Sequence, residues 1–373
     1  MTIKTTLKAS VAAAALLAVS APVVSSTADA GSISNGNDIA ITMSGQIARS
    51  VVMIDNGASS EVQHIDGGND TNTRLRILGS APVTESVTVG LVWEANMATT
   101  NRGFGSTNGS AGTNTTNGAA GFAHRKSDIS FTHASLGKLS IGQGDTASDN
   151  KPSLDSTGNN NAGLTYAGGT LIANSTTGVN TALTASGQFN AQFGGRASRV
   201  RYDLPNVAGF DLGFDLMDND QWDVGLKYGA TMGDIQIAFA AQYMKLDSAT
   251  ADAQYGTGLA LKHSGGLSAG VHYGKEDRVT GNALDPKQWG VEVGYTTSAM
   301  SNLGATSITV SYVDAEEAAT ANMEATKWGV YLNQDLPSSV KIFAAYEAAE
   351  YDDGTATNYD DVSVALVGTF IAF

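Results

Sequence analysis

Apolar residues alternate with small or polar residues over most of this chain. In one such segment, Ile235, Ile237 and Phe239 occupy one set of alternate positions, and Gln236 and Ala238 occupy the other. The same alternation recurs at residues 222–228, 255–262, 289–295, 340–347 and 361–373. Alternation with a period of two predicts β-strands, because successive side chains of a strand point to opposite faces of its sheet. The chain is therefore predicted to be all-β.

The first thirty residues have the pattern of an export signal. Lys4 and Lys8 precede an apolar run at residues 11–19, and Ala28-Asp29-Ala30 offers a cleavage site between small residues. The apolar run is shorter than the ~20 residues that a membrane-spanning helix needs. We therefore predict that residues 1–30 are a removed signal peptide and that residues 31–373 form a single exported domain.

The alternation fits a membrane-spanning barrel better than a soluble β-sandwich. A barrel strand needs an apolar residue only at every second position, so the chain can span a membrane without a long apolar stretch. Trp and Tyr residues lie at the ends of the apolar faces, as in the aromatic girdles of barrels, and the polar faces are rich in Gly and Ala. The sandwich remains the alternative, because it also alternates apolar and polar residues.

Short and long connections alternate along the chain. The predicted long connections are residues 55–72, 97–124, 146–197, 275–287, 314–326 and 350–360. Short turns on one side and long loops on the other are typical of bacterial outer-membrane barrels. The count predicts a transmembrane antiparallel β-barrel of about 16 strands, which is wide enough to enclose an aqueous channel.

The longest predicted connection covers residues 146–197 and lies between the fifth and sixth predicted strands. Its charged residues are Asp149, Lys151, Asp155 and Arg196. It also carries leucines, an isoleucine and aromatic residues, which need an apolar partner. We predict that this loop folds into the lumen and forms its constriction. An ordinary exposed loop is the alternative.

If the apolar faces point to lipid, the opposite faces place charged residues in the channel. The predicted pore-lining residues on strands are Arg74, Arg76, Glu94, Lys126, Asp128, Arg199, Arg201 and Asp203. Lumen placement is expected, because Arg on the lipid face at mid-bilayer costs ~2–4 kcal/mol. A basic wall opposite the loop carboxylates Asp149 and Asp155 would create a transverse electric field. Arg49 occupies the same set of alternate positions as the apolar residues of its strand, which would point it outward, so we expect it near the rim or at a bulge.

Charge and composition exclude several other functions. Without the predicted signal peptide the chain carries 19 basic and 35 acidic side chains, and this net charge of −16 argues against nucleic acid as a partner. The sequence Gly266–Gly270 matches the G-x-S-x-G motif of hydrolases, but a strand pattern follows it where a nucleophile elbow needs a helix. The chain is therefore predicted not to be an enzyme.

The sequence also indicates no cofactor. It has no cysteine, and its five histidines are not spaced as metal ligands. A loosely bound divalent cation is one interpretation of the acidic loop residues Asp352, Asp353, Asp360 and Asp361. An ordinary solvated loop is favoured, because the spacing does not match an EF-hand.

Several segments resemble those of the general diffusion porins of Gram-negative outer membranes. They are Arg74-Leu75-Arg76-Ile77-Leu78-Gly79-Ser80, the hairpin at 136–143, the hairpin at 200–210 and the terminal Phe373. The resemblance implies a 16-stranded homotrimer with an eyelet built by the third loop. It also implies eyelet bases at Arg74, Arg76, Arg199 and Arg201, loop acids at Asp149 and Asp155, and presentation of Phe373 to the barrel-assembly machinery. The chain departs from the family pattern at Gln143, where a basic residue is often found.

The expected function is passive diffusion of small hydrophilic solutes and ions across the outer membrane of a Gram-negative bacterium. Lumen width and wall charge would act as the filters. A substrate-specific channel is one alternative. It would need a row of lumen aromatics, and only Tyr331 and Phe343 are candidates. A structural or adhesive barrel whose loops bind a partner is the other alternative.

Overall fold

Twenty strands make up nearly all of the regular structure in the described part of the chain. A computed structural model describes residues 32–34, 39–67, 72–97, 123–149, 170–189, 194–279, 281 and 284–373. The predicted signal peptide, most of the predicted loop 97–124 and Asp155 lie outside these ranges. The strands are β1 Ser32–Ser34, β2 Ala40–Asp55, β3 Ser60–Asp66, β4 Arg74–Pro82, β5 Val87–Asn96, β6 Ala123–His133, β7 Gly137–Asp145, β8 Leu171–Asn174, β9 Val179–Thr184, β10 Arg196–Asp203, β11 Phe210–Met217, β12 Trp222–Met232, β13 Ile235–Lys245, β14 Ala251–His263, β15 Leu267–Arg278, β16 Lys287–Thr297, β17 Thr306–Glu316, β18 Glu324–Leu336, β19 Val340–Asp352 and β20 Val362–Ala372.

The strands close into an antiparallel barrel. Each barrel strand pairs with the strands on either side of it, and β20 pairs with both β19 and β2, so the sheet has no free edge. β3 pairs with the second half of β2 and β4 pairs with the first half, so β3 and β4 together occupy one strand position. The barrel therefore has 16 strand positions, and the predicted fold and count are confirmed.

The two ends of the described chain meet at the seam of the barrel. The backbone N–H of Gly45 donates to the carbonyl of Phe373 at 2.7 Å, and the N–H of Phe373 donates to the carbonyl of Gly45 at 2.9 Å. β1 pairs with the start of β2, beyond the point where β20 ends. The ring of Phe373 lies over Gly45, where an added Cβ would overlap the ring. This close approach requires glycine at position 45.

The predicted loop 55–72 is shorter in the structure, and this prediction was wrong. A tight turn follows β2, in which the Asn56 side-chain oxygen accepts hydrogen bonds from the N–H groups of Ala58 and Ser59. β3 then runs through the middle of the predicted loop, and the strand position is interrupted only between β3 and β4. Polar residues on the inner face of β3, such as Glu61 and Gln63, gave this segment the composition of a loop.

The two faces of the barrel differ as the alternation predicts. Large apolar residues such as Leu259, Val271 and Val291 are exposed on the outer face, and residues such as Gly258 and His272 lie on the inner face. A row of aromatic residues runs across the outer face of β12 to β19 toward the long-loop ends. Its members are Trp222, Tyr243, Tyr255, Tyr273, Trp289, Tyr312, Trp328 and Tyr346. In the described part of the chain, no helix has the length and apolar character needed to cross a bilayer.

Candidate functional site

Glu94 is the centre of the first charged cluster on the lumen wall. It is fully buried on β5 and accepts hydrogen bonds from the Nε atoms of Arg76 at 2.7 Å and of Arg125 at 2.6 Å. Arg76 and Glu94 face each other across paired strands, as the alternation predicts. Two cations therefore share one carboxylate at this point.

Arg125 was missed by the sequence analysis. A register shift between β5 and β6 pairs Glu94 with Lys126 but Ala95 with His124, so Arg125 is an extra, bulged residue. The bulge turns Arg125 and its neighbour Lys126 toward the lumen together, whereas strict alternation would place them on opposite faces. Two consecutive basic residues at the end of a strand next to a long loop were the available signal.

Arg199 and Arg201 form the second cluster, on β10. The guanidinium of Arg199 donates to both carboxylate oxygens of Asp128, at 3.0 and 2.9 Å, and its Nε donates to the carbonyl of Asp145 at 3.0 Å. Arg201 donates to Asp203 at 2.9 and 2.7 Å and to the same Asp145 carbonyl at 3.0 Å. Both side chains are nearly buried, so these charge-assisted bonds hold each guanidinium against the wall.

The remaining predicted wall residues also have partners close by. Lys126 forms an ion pair with Asp145, and the Nε of Arg74 donates to the side-chain oxygen of Asn72 at 2.6 Å. Bases and acids thus alternate on one wall from β4 to β10. The transverse field between this wall and the loop remains a prediction, because Asp155 lies outside the described residues.

The base of the long loop lies against the inner face of β11 and β12. The N–H of Ala147 donates to the carboxylate of Asp215, and the N–H of Ser148 donates to the carboxylate of Asp223 at 3.2 Å. The Ser148 hydroxyl also donates to Asp223. A Cβ added at Gly225 would collide with the carbonyl of Ala147, so this glycine makes room for the loop.

Asp215 and Asp223 were also missed by the sequence analysis. They are fully buried and lie directly opposite each other on β11 and β12. Like charges that face each other across paired strands are destabilising unless donors compensate them. Two inward carboxylates in register were therefore a signal that another segment must supply donors, and the loop base supplies them.

Asp149 follows this base and is half-buried. Burial raises its pKa to about 6, and the nearby carboxylate of Asp145 adds to the rise, whereas Arg196, Lys126 and Lys227 oppose it. An aspartate with this pKa changes charge between mildly acidic and neutral pH. The structure therefore has a titratable group at the point where the loop leaves the wall.

A later part of the same loop contacts a different wall. β8 and β9 form a two-stranded hairpin, and the side-chain amide of Asn56 donates to the carbonyl of Leu171 and to the side chain of Asn180, both at 2.7 Å. The N–H of Asp360 donates to the carbonyl of Ala173 at 2.9 Å. The hairpin is thus bonded to the loops that flank β2 and β20.

Apolar side chains join the hairpin to the inner face of β2 and β17 to β20. Ile172 is fully buried, and Phe189 packs edge-on against Tyr351 with ring centroids 6.4 Å apart. Residues of the wall that share this cluster are Val52, Ile54, Val313, Ala325, Ala349, Val362, Val364 and Leu366. The described parts of the loop therefore contact strand positions seven and eight at the base and positions thirteen to sixteen and one at the hairpin and the residues that follow it.

Tyr331 and Phe343, the only candidates for an aromatic track, are packed into the wall. Tyr331 is 3% exposed and donates from its hydroxyl to Glu347 at 2.7 Å. Phe343 is 2% exposed and its ring lies over Gly368. Neither ring presents a surface along which a sugar can slide.

Arg49 lies on the outer face, within the length of β2. It forms an ion pair with Asp66 of β3. Arg49, the exposed His64 and Val367 of β20 line a cavity of about 480 Å³. The register between β2 and β20 continues through this point without a shift. β2 itself therefore has no bulge here, but on its other side the partner changes from β3 to β4 next to Arg49.

The G-x-S-x-G sequence is part of a hairpin. Gly266 has a positive φ of 99° in the turn before β15, and Ser268 and Gly270 lie within that strand. The serine is on the inner face, opposite Gly294 of β16. The helix that a nucleophile elbow requires does not follow.

The family is decided by comparison with known proteins. The model of a family described as Gram-negative porin matches residues 11–354. The chain belongs to the Gram-negative porin family. This porin is an integral β-barrel of the outer membrane, and membership supports a channel function over an enzymatic one. No curated protein matches the chain by sequence.

Solved structures with the same fold share little sequence with this porin. The anion-selective porin from Comamonas acidovorans is 15% identical, with a TM-score of 0.61 over 90% of this chain and 100% of that one. Outer-membrane expressed OmpT of Vibrio cholerae is 13% identical, with a TM-score of 0.57 over 92% of this chain and 100% of that one. A mutant of the Rhodopseudomonas blastica porin is 14% identical, with a TM-score of 0.55 over 89% of this chain and 100% of that one.

Proposed function

We propose that this porin is a passive diffusion channel for small hydrophilic solutes and ions, and that residues 146–197 form its constriction. The observation that carries the proposal is the attachment of one loop to two nearly opposite walls of the barrel. The base is held at β11 and β12, and the hairpin is held at β2, β19 and β20. A loop attached in this way crosses the lumen and reduces its width.

The charged wall supports a filter that acts on charge as well as on size. Its cations and carboxylates line the lumen beside the loop base, where a permeating ion is close to both signs. Selectivity in such pores follows from width and from the charges that line it. This proposal includes no catalytic step.

Deletion of the hairpin tests the constriction. Removal of residues 171–184 is expected to increase single-channel conductance in planar bilayers and to admit larger polyethylene glycols. A matched control shortens the loop at 246–250, which joins β13 to β14. This change is expected to leave the single-channel conductance and the size limit for polyethylene glycols unchanged. Unchanged conductance after the hairpin deletion would reject the constriction.

A saturable block by one solute in the same bilayers would instead support a substrate-specific channel. An intact barrel that shows no conductance at all would support a structural or adhesive role. The burial of Tyr331 and Phe343 favours the general channel over the specific one.

We also propose that the porin assembles as a homotrimer through the outer face of β20, β2 and β3. The aromatic row covers β12 to β19 and does not continue at the same level onto β20 and β2, where the outward residues are Ala365 and Met53. The ion pair of Arg49 with Asp66 lies on this sector, and a charge facing lipid at mid-membrane costs ~2–4 kcal/mol. A protein neighbour removes that cost.

Substitutions at this ion pair test the assembly. Asp66→Leu removes the carboxylate that pairs with Arg49 and is expected to weaken the trimer in detergent by about 3–5 kcal/mol, whereas the double variant R49L/D66L is expected to restore most of the loss. Gel mobility without heating and light scattering measure the subunit number. Equal trimer stability in the wild type and in Asp66→Leu would place the interface elsewhere.

Two further partners remain proposals. Phe373 ends the last strand and is half exposed, in keeping with presentation to the barrel-assembly machinery. A loosely bound divalent cation near Asp352, Asp353, Asp360 and Asp361 is the second. The carboxylate of Asp353 already accepts hydrogen bonds from Thr355 and Tyr359, and no cluster of three acidic or histidine side chains able to hold a metal occurs in the described ranges.

A further inference from the structure

Two lysines on the lumen wall differ from every basic residue of the charged clusters. Lys138 lies on β7 opposite Asp203, and Lys227 lies on β12 opposite Asp211. Leu139 follows Lys138, and Leu212 follows Asp211. Both leucines are exposed on the outer face, so the two lysines point to the lumen. Neither ammonium group has a hydrogen-bond or ion-pair partner in the described part of the chain. The arginines of the same wall are each held by a carboxylate or an amide.

The carboxylates that face the two lysines across paired strands already accept other hydrogen bonds. Asp203 accepts the bonds of Arg201, and Asp211 accepts a hydrogen bond from the side-chain amide of Asn206 at 2.9 Å. Asp203 is therefore paired with Arg201, and Asp211 is bonded to an amide and not to Lys227. No carboxylate among the described residues is bonded to either ammonium group, so their positive charge is available to a solute.

Both lysines lie on the short-turn side of the loop base. The loop base occupies the space over Gly225, and Lys227 follows two residues later toward the short-turn end of β12. Lys138 is the second residue of β7, close to the turn that precedes it. Three strand spacings separate the two backbones, or ~14 Å. A solute that passes the loop base on this wall next meets the two ammonium groups.

We propose that Lys138 and Lys227 form an anion-binding step on the periplasmic side of the constriction, for small inorganic anions and small carboxylates. The inference deepens the proposed diffusion function and rests on it. A lysine ammonium is a hydrated point charge on a flexible stem, so it attracts an anion without holding it rigidly. Such weak binding allows an ion both to enter a pore and to leave it.

The arginines have a different role in this scheme. Their guanidinium groups hold Asp128, Asp203 and Glu94 in place and shape the wall, and Arg199 and Arg201 each have a carboxylate partner, whereas Arg76 and Arg125 share Glu94. Removal of the two lysines changes the net charge of the lumen without breaking a hydrogen bond between described residues. The attraction of anions at this step is thus assigned to the lysines.

The test compares reversal potentials of planar bilayers in a KCl gradient. The double variant K138Q/K227Q is expected to lower the chloride-to-potassium permeability ratio about threefold near 0.1 M salt and much less near 1 M, because salt screens the charges. The matched control is Lys245→Gln, which removes an exposed charge at the outer end of β13 and is expected to leave the ratio unchanged.

The outcomes separate this inference from the function on which it rests. If the wild-type porin gave no conductance in planar bilayers, the proposed diffusion function itself would be rejected. Normal conductance with the same permeability ratio in K138Q/K227Q and wild type would reject only the anion-binding step. An equal shift in Lys245→Gln would assign the effect to general surface charge and would also reject it.

Discussion

The base of the long loop rests on carboxylates of β11 and β12, whereas the hairpin of the same loop is buried among apolar side chains of β2 and β17 to β20. The base is attached by hydrogen bonds to Asp215 and Asp223, with a glycine that makes room for it. The hairpin and the residues that follow it up to Phe189 are attached mainly by burial of side chains such as Ile172 and Phe189. One loop therefore depends on two kinds of interaction, which respond to different changes.

This difference matters because a constriction must stay in place while solutes and ions pass it. Apolar burial involves no group that titrates, and its strength depends on the area that is buried and the volume that is filled. Charge-assisted hydrogen bonds depend on the protonation state of the carboxylate. The hairpin is thus expected to position the loop under all conditions, and the base is expected to respond to the solution.

The largest expected effect is at the hairpin. Phe189→Ala removes a nearly buried ring and is expected to weaken the attachment by about 3–5 kcal/mol. Hydrogen exchange of the amides at 171–184 measures the loss directly, and noisier single-channel currents are expected with it.

Val179→Ala is the matched control for this change. Val179 belongs to the same hairpin but is 62% exposed, so its truncation is expected to leave exchange unchanged. Equal protection of the hairpin amides in Phe189→Ala and in the wild type would contradict the assignment of apolar burial as the main attachment.

A smaller effect is expected at the base. Asp223→Ala removes the acceptor of the Ser148 N–H and hydroxyl and is expected to weaken the base by about 1–3 kcal/mol. Asp223→Asn keeps an acceptor oxygen and is expected to lose less. The hydrogen exchange rate of the Ser148 amide measures the loss in both variants. An Asp223→Ala variant that exchanged at the wild-type rate would contradict the role of Asp223 in holding the loop base.

The two variants together test whether the attachments are independent. Phe189→Ala is expected to leave the Ser148 amide protected, and Asp223→Ala is expected to leave the hairpin amides protected, because distant sites without shared partners act additively. Simultaneous loss of protection at both places would show that the loop opens as one unit.

Much of the fold follows from alternation, because each strand carries its own pattern. The strand count, the two faces and the position of the long loop after the fifth strand were predicted in this way. Arg125 was missed because a bulge breaks the period of two, and β3 was missed because its polar inner face resembles a loop. A bulge and a polar inner face both depart locally from the alternation, so the alternation alone cannot predict them.

The site was predicted less completely, because its contacts join distant parts of the sequence. Ala147 and Asp215 are 68 residues apart, and Asn56 and Leu171 are 115 residues apart. The alternation of apolar and polar residues predicted that Arg199 and Arg201 lie on the inner face. Their hydrogen-bond partners depend on which strands are neighbours, and the alternation does not give that. The apolar wall that receives the hairpin could not be distinguished from a lipid-facing surface by its composition.

The smallest expected effect concerns pH and separates the two attachments most sharply. Burial and the neighbouring Asp145 raise the pKa of Asp149 to about 6 from an ordinary value of 3.8, so Asp149 is mostly neutral at pH 5 and mostly charged at pH 7. Because the folded-state pKa is raised, stability from this group is present below its ordinary pKa and is lost as the pH rises through 6. The added negative charge also opposes anions in the lumen. The chloride-to-potassium permeability ratio is therefore expected to fall from pH 5 to pH 7, while the protection of the hairpin amides, relative to their intrinsic exchange rate at each pH, stays constant. Asp149→Asn is expected to abolish the change.

Asp353→Asn is the control, because hydrogen bonds from Thr355 and Tyr359 lower the pKa of that carboxyl and keep it ionised throughout this range. A pH dependence that persists in Asp149→Asn would locate the titrating group elsewhere on the charged wall.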